Sequence, residues 1–157
     1  MVLVNWKNKT WHDPTGRFYT FEEVVQRVHC STKEHEVHVG ADSHVIGSKL
    51  ILAVAICLYR PGKGGTYFFC RNVQPRRTNK NLGLRLNSEV AASISVADSL
   101  ALSAQLITVH ADVSANPRHK SFQYSQQICS FIKGMGYTCK IKPESAASSS
   151  VADLLAK

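Results

Sequence analysis

Three apolar runs in the first half of the chain predict β-strands, because they are rich in strand-forming residues and are bounded by turn signals. They cover residues 37–42, 49–59 and 66–73. The second run, KLILAVAICLY, is almost unbroken, as expected for a strand that is buried on both faces. The sequence RPGKGG after this run is a strong turn signal, so we expect a tight connection between the second and third strands.

Helical periodicity appears before and after these runs. Residues 20–23, TFEE, fit a capping box and predict a helix that runs to about Cys30. Apolar residues recur at steps of three or four over 82–104 and predict a long helix. A third helix is expected over 118–133, and a last short helix after the Ser/Ala stretch at 146–150.

Two further strands complete the pattern, an apolar run at 106–112 and an alternating segment at 137–142. The resulting order predicts an α/β fold with a five-stranded mixed sheet flanked by helices on both faces. We expect a single domain over residues 1–157. Within it, residues 1–19 form an N-terminal arm, either extended or a short edge element, and residues 20–157 form the core.

The charge of the chain favours a polyanionic partner. The formal net charge is +8 and the pI is about 9.4, so nucleic acid is the first candidate partner and a merely soluble basic protein the alternative. No stretch approaches the roughly 18 apolar residues that span a bilayer, and the N-terminus does not fit a signal peptide. We therefore expect no membrane partner and a cytoplasmic location. Five cysteines without a C-x-x-C pair argue against a zinc site or a disulfide framework.

Two acids follow apolar runs at equivalent places, Asp42 after VHVGA and Asp112 after LITVHA. A helix connects the two strands, so we expect them to be parallel neighbours joined by a right-handed crossover. Ligands bind at the carboxyl ends of such strands, and both carboxylates should therefore point into one crevice. His38 and His110 share strand faces with these acids. Each histidine is either a supporting partner of its acid or a half-buried side chain satisfied within the fold.

Two more acids are candidates for the same crevice. Glu89, in NSEVAAS, lies on the helix between the two strands, and Asp153, in SSSVADLL, lies on the last predicted helix. Each has an ordinary explanation. Glu89 could occupy a solvated helix face, and Asp153 could form a capping box with Ser150. The order of all four acids on their elements favours a shared site.

That order resembles the ribonuclease H-like superfamily, in which successive acids come from a first strand, a following helix, a fourth strand and a last helix. The chain is more specifically similar to the YkuK family of predicted ribonuclease H-related proteins, over roughly residues 20–157. The similar segments are GADSH, HADVSANPRHKS and GMGYTCKIKPESAASSSVAD. In the third segment, Glu144 holds the place of the acid that follows Lys-Pro in the family. The resemblance implies a ribonuclease H-like fold.

The resemblance also implies four catalytic residues that hold metal: Asp42, Glu89, Asp112 and Asp153. Two Mg²⁺ or Mn²⁺ ions are the implied cofactors, since hard divalent ions prefer carboxylate oxygens. Such a pair of ions can clamp the attacking and leaving oxygens during phosphodiester hydrolysis. Clustered carboxylates without a cation would instead repel one another.

Basic residues near these acids are candidates for contact with a nucleic-acid backbone. Taken singly, each is better explained as a solvated surface charge, and the hypothesis concerns the set. Its members are Arg76, Arg77, Lys80, Arg85, Arg118, His119 and Lys120, together with Lys140 and Lys142. Ser43 and His44, which follow Asp42, are candidate auxiliary residues. His44 and His119 are candidates to protonate a leaving group.

The first functional hypothesis is a metal-dependent nuclease that uses two ions, with the RNA of RNA–DNA hybrids as the suggested substrate. The alternative within enzymes is a structure-selective DNA nuclease or Holliday junction resolvase, which would need to be a dimer. The alternative outside enzymes is a non-catalytic nucleic-acid-binding protein with the same fold. A dinucleotide-binding protein is excluded because no G-x-G-x-x-G follows the first strand, and a P-loop is excluded because RPGKGGT lies in a hairpin turn instead of before a helix.

Overall fold

The computed structural model describes residues 4–78 and 81–144, and within these ranges it has seven strands and three α-helices. The strands are β1 (Trp11–His12), β2 (Phe18–Tyr19), β3 (Glu36–Ile46), β4 (Lys49–Arg60), β5 (Gly64–Pro75), β6 (Ile107–Ser114) and β7 (Thr138–Lys142). The helices are α1 (Phe21–Ser31), α2 (Leu82–Ser99) and α3 (Phe122–Gly134). Short 3-10 turns occupy Trp6–Asn8, Arg76–Thr78 and Ala104–Leu106.

The strands form one mixed sheet in the order β2-β1-β5-β4-β3-β6-β7. The pairs β3–β6 and β6–β7 are parallel, and the remaining neighbours are antiparallel. The predicted mixed α/β architecture is therefore confirmed, but the prediction of five strands was wrong. The two additional strands, β1 and β2, have two residues each, which is too short for an alternating pattern to be visible in the sequence.

The described part of the N-terminal arm packs against the rest of the protein. Trp6 and Trp11 are 3% and 0% exposed and belong to the main core. The indole Nε1 of Trp11 donates to the carbonyl oxygen of Trp6 at 3.1 Å. Asp13 organises the turn between β1 and β2, because its carboxylate accepts hydrogen bonds from the backbone N–H of Thr15 and from the Tyr19 hydroxyl. The arm thereby extends the edge of the sheet.

All three described helices pack against one face of the sheet. A single core contains side chains from each helix together with alternate residues of the central strands, including Val24, Val96, Ile132, Val39, Val54 and Val109. The last predicted helix lies outside the described residues, and helices on both faces remain a prediction. Within the ranges that the structure describes, no helix is long and apolar enough to cross a membrane.

Two helix boundaries differ from the prediction for local reasons. Helix α2 ends at Ser99 instead of 104, because Leu100 caps it and Ala101 takes a left-handed φ of 55°. Helix α3 begins at Phe122 instead of 118, because the preceding residues form a hydrogen-bonded loop. In this loop Asn116 accepts from the backbone N–H of Arg118 at 3.0 Å. Helix α1 starts as predicted, with the Thr20 side chain accepting from the Glu23 N–H at 3.2 Å.

Candidate active site

Asp42 and Asp112 lie where two parallel strands separate. The pairing of β3 with β6 ends at Gly40 and His110, and each acid lies two residues beyond that last pair. The prediction that each acid ends its strand was wrong, because β3 stays paired with β4 as far as Ile46 and β6 continues to Ser114. The pairing of β6 with β7 is irregular between His110 and Ser114. Irregular pairing of this kind re-aims side chains near functional sites.

Glu89 reaches the same place from helix α2. Its Oε1 accepts hydrogen bonds from the backbone N–H of Ser43 at 3.0 Å and from the Ser43 hydroxyl at 2.5 Å. The residue is 5% exposed, which rules out the solvated helix face considered as its alternative. Ser43 follows Asp42 in β3, so these contacts hold the Glu89 carboxyl group next to the first acid.

Arg85 fixes Ser43 from one helical turn before Glu89. Its Nε donates to the Ser43 hydroxyl oxygen at 3.1 Å, and its Nη2 donates to the Ser43 carbonyl oxygen at 2.6 Å. The two residues that contact Ser43 are four apart on α2 and therefore share one helix face. Arg85 thus positions Ser43, and Ser43 positions Glu89. The predicted contact of Arg85 with nucleic acid stays a prediction.

The electrostatics of Glu89 show that the three acids influence one another. The pKa of Glu89 is raised to about 8, with burial as the largest cause and the nearby charges of Asp42 and Asp112 acting in the same direction. The hydrogen bond from Ser43 and the charge of Arg85 act in the opposite direction. A cation placed among these carboxylates would favour their charged forms.

Asp112 already has a cationic partner within the chain. The Lys142 ammonium lies 2.5 Å from the Asp112 Oδ1, and both side chains are partly exposed. Lys142 is the last residue of β7, the parallel neighbour of β6. The sequence suggested Lys142 only as one member of a basic set, and nothing in its spacing indicated a pair with Asp112.

A chain of polar residues, two buried histidines and the exposed Glu36, lies behind the acids on the same strands. His38 Nδ1 is 2.7 Å from His110 Nε2, and His38 Nε2 is 2.8 Å from Glu36 Oε2. The two histidines are 4% and 3% exposed. His110 precedes Asp112 by two residues on the same face of β6. Both ring nitrogens of His38 thus have a polar neighbour, which matches its interpretation as a residue satisfied within the fold. The sequence had not indicated Glu36 as its partner.

The other candidate residues are distributed around this end of the sheet. His44 is half-buried and shares a face of β3 with Asp42. Arg76 and Arg77 are exposed in the turn after β5, where they and Lys49 help to line an open groove of about 1130 Å³. The exposed loop between β6 and α3 carries Arg118, His119 and Lys120. The carboxyl ends of β3, β5 and β6 point the same way, so these groups share one end of the sheet.

Two predicted site residues, Lys80 and Asp153, lie outside the described residues. Across residues 4–78 and 81–144, no group of three or more His, Cys, Asp or Glu side chains is arranged to hold a metal ion. Asp42, Glu89 and Asp112 nevertheless supply carboxylate oxygens, the donors that Mg²⁺ and Mn²⁺ prefer. The described acids therefore match such ions in chemistry without forming a complete cluster.

Comparison with known proteins places the chain in a family. A family model described as Ribonuclease H-like matches residues 20–157. This match covers well over half of the 157 residues. The chain therefore belongs to the ribonuclease H-like superfamily, and the similarity to its YkuK family is confirmed. No curated protein and no solved structure matches the chain. Membership of this superfamily indicates a nuclease or another nucleic-acid-related function.

Proposed function

We propose that this protein is a divalent-metal-dependent nuclease whose metal ligands are Asp42, Glu89, Asp112 and Asp153. The observation that carries the proposal is the buried carboxyl group of Glu89 beside two further acids. Burial, and secondarily the neighbouring charges of Asp42 and Asp112, raise the pKa of Glu89, so the charged form of this carboxyl group is unfavourable without a cation. An arrangement of this kind is common at catalytic sites.

The chemistry of the acids fits Mg²⁺ or Mn²⁺. We propose two ions, because the resemblance to the ribonuclease H-like superfamily implies two. When bound, the ions would neutralise charge on the phosphate and activate a water for attack on phosphorus. The chain's own residues orient the acids: Arg85 holds Ser43, and Ser43 donates two hydrogen bonds to Glu89. Lys142 neutralises Asp112 in the absence of a metal, so a cation at Asp112 would compete with this ammonium group.

Nucleic acid is the proposed partner, because basic groups surround the acids on one end of the sheet. RNA in an RNA–DNA hybrid is the first proposed substrate, and a DNA junction or another branched DNA is the alternative. Exposed Arg76, Arg77, Arg118 and Lys120 are the proposed backbone contacts.

One observation favours a second candidate, a nucleic-acid-binding protein without catalysis. The ion pair between Lys142 and Asp112 satisfies one acid without any metal. In a protein that only binds, a divalent ion would bring no turnover, and replacing an acid would leave binding unchanged or stronger.

The test is cleavage of labelled single-stranded, duplex, hybrid and four-way-junction substrates in Mg²⁺, Mn²⁺ or EDTA. We expect cutting only with metal, and we expect Asp42→Asn to abolish it while retaining nucleic-acid binding. Glu22→Gln, an exposed acid on α1, is the control and should cut like the wild type. Binding by both proteins without cleavage of any substrate would favour the non-catalytic candidate, and the preferred substrate would decide between hybrid and junction.

A further inference from the structure

A row of aromatic rings crosses the outer strands of the sheet. His12 in β1 pairs with Phe18 in β2 on one side and with Phe69 in β5 on the other. The ring centroids of His12 and Phe18 are 4.8 Å apart, and those of His12 and Phe69 are 5.2 Å apart. Tyr67 continues the row, with its ring 6.1 Å from that of Phe69. We call these four residues the aromatic strip.

The aromatic strip lies on the same face of the sheet as the first acid. Phe69 pairs with Ala55, and Ala55 pairs with Gly40. Paired residues share a face, and Asp42 is two residues beyond Gly40 on that face. Two strand spacings, about 10 Å, separate Phe69 from the strand of Asp42.

The outer end of the aromatic strip has no packing role in the main core. Phe18 is 67% exposed, whereas Trp11 and Tyr19, its neighbours in the arm, are buried on the helix side. Phe69 and Tyr67 are half-buried and pack against the small second cluster of the far face. Arg71 follows on the same face of β5 and is exposed. The face therefore combines accessible rings with a cation.

We propose that the aromatic strip binds unpaired bases of a single-stranded nucleic-acid segment that leads to the acids. Rings spaced about one strand apart on a sheet suit the stacking of successive bases, and such stacking tolerates any base because every base has an aromatic face. Bases inside a duplex are already stacked on one another and do not reach the rings. The inference rests on the proposed function and gives it a substrate class, single-stranded regions or ends.

The test measures binding in EDTA, so that cleavage does not interfere. Fluorescence anisotropy would compare a labelled single strand of roughly 15 nucleotides with the matching duplex. We expect Phe18→Ala to weaken single-strand binding by roughly 5- to 100-fold and to change duplex binding by less than about twofold. Phe18→Trp, which keeps an aromatic face, should bind like the wild type. Phe131→Ala is the matched control, because Phe131 is 51% exposed on α3, outside the aromatic strip.

Unchanged single-strand binding by Phe18→Ala would overturn the inference, as would an equal loss for single strand and duplex. Light scattering on the same samples tests whether a second copy of the chain, instead of nucleic acid, binds to the aromatic strip. If Phe18→Ala converts a dimer to a monomer without changing single-strand binding, the aromatic strip is a subunit contact and the inference is wrong. A wild type that binds no nucleic acid would defeat the proposed function as well. If the wild type binds and cuts nucleic acid and Phe18→Ala binds single strands equally well, the inference is wrong but the proposed function stands.

Discussion

At the scale of single residues, Glu89 holds a carboxyl group where burial and two neighbouring charges oppose its ionisation. Its pKa rises from an ordinary value of 4.5 to about 8. At pH values between 4.5 and about 8, Glu89 keeps its proton in the folded protein but has released it in the unfolded chain. The free energy of unfolding therefore falls as the pH rises through this window, and it recovers as the pH is lowered.

We expect Glu89→Gln to remove this pH dependence, because the amide has a similar shape and no charge. In EDTA, the wild type should gain more than about 1 kcal/mol of stability between pH 8 and pH 6, and Glu89→Gln should gain much less. At pH 8 the variant should be the more stable of the two proteins. Urea unfolding at a series of pH values provides the measurement.

Glu22→Gln is the control, since Glu22 is exposed and the chemical change is the same. It should follow the pH profile of the wild type. If Glu89→Gln and the wild type showed parallel profiles, the carboxyl group of Glu89 would be ionised in the folded protein at neutral pH, contrary to the expectation. Adding Mn²⁺ at pH 8 should stabilise the wild type and have a smaller effect on Glu89→Gln.

At the scale of elements, the N-terminal arm depends on one buried indole. Trp11 is fully buried and touches Phe21 of α1, with 5.6 Å between ring centroids. We expect Trp11→Ala to lower the free energy of unfolding by about 3–5 kcal/mol, the usual loss for a large buried aromatic side chain. Phe18→Ala, in the adjacent strand of the same arm, should cost less than about 0.5 kcal/mol because its ring is exposed. Urea unfolding of the two variants checks both values, and equal losses would contradict this account of the arm.

Elements with a long repeating pattern were predictable from the sequence, and elements held by a few contacts were not. Helix α1 could be placed from its cap, and β4 from its long apolar run. For residues 1–19 a short edge element was one of two predictions, but the strands β1 and β2 themselves could not be placed, because they depend on pairing with β5 and on the turn around Asp13. The early end of α2 depends on the left-handed conformation of Ala101, which has no distinctive local signal in a non-glycine residue.

The candidate site also has parts that could be predicted from the sequence and parts that could not. The placement of Asp42, Glu89 and Asp112 near one end of the sheet could be predicted, because strand order and helix position determine where residues at those places lie. The roles of Arg85 and Lys142 could not, because each depends on the direction of a long flexible side chain in three dimensions. In the sequence both residues stand out only as positive charges. In the structure, Arg85 donates a hydrogen bond to Ser43 and Lys142 forms an ion pair with Asp112.

At the scale of the whole molecule, the positions of the basic residues are more informative than the net charge of +8. Arg76 and Arg77 lie at the carboxyl end of β5, on the same end of the sheet as the acids. Lys33 and Lys63 are also exposed, but they lie at the opposite end, before β3 and in the turn between β4 and β5. A nucleic acid bound near the acids should contact the first pair and not the second.

Replacing Arg76 and Arg77 together by Gln should therefore weaken binding and reduce its salt dependence. Each lost phosphate contact lowers the slope of log K against log salt by about 0.7 for a single strand and about 0.9 for duplex DNA. Two lost contacts should reduce the slope by roughly 1.4 to 1.8. The double variant Lys33→Gln/Lys63→Gln removes the same charge from the other end and should retain the wild-type slope. Equal reductions in both double variants would mean that binding responds to total charge, and the surface around the acids would then have no special part in holding nucleic acid.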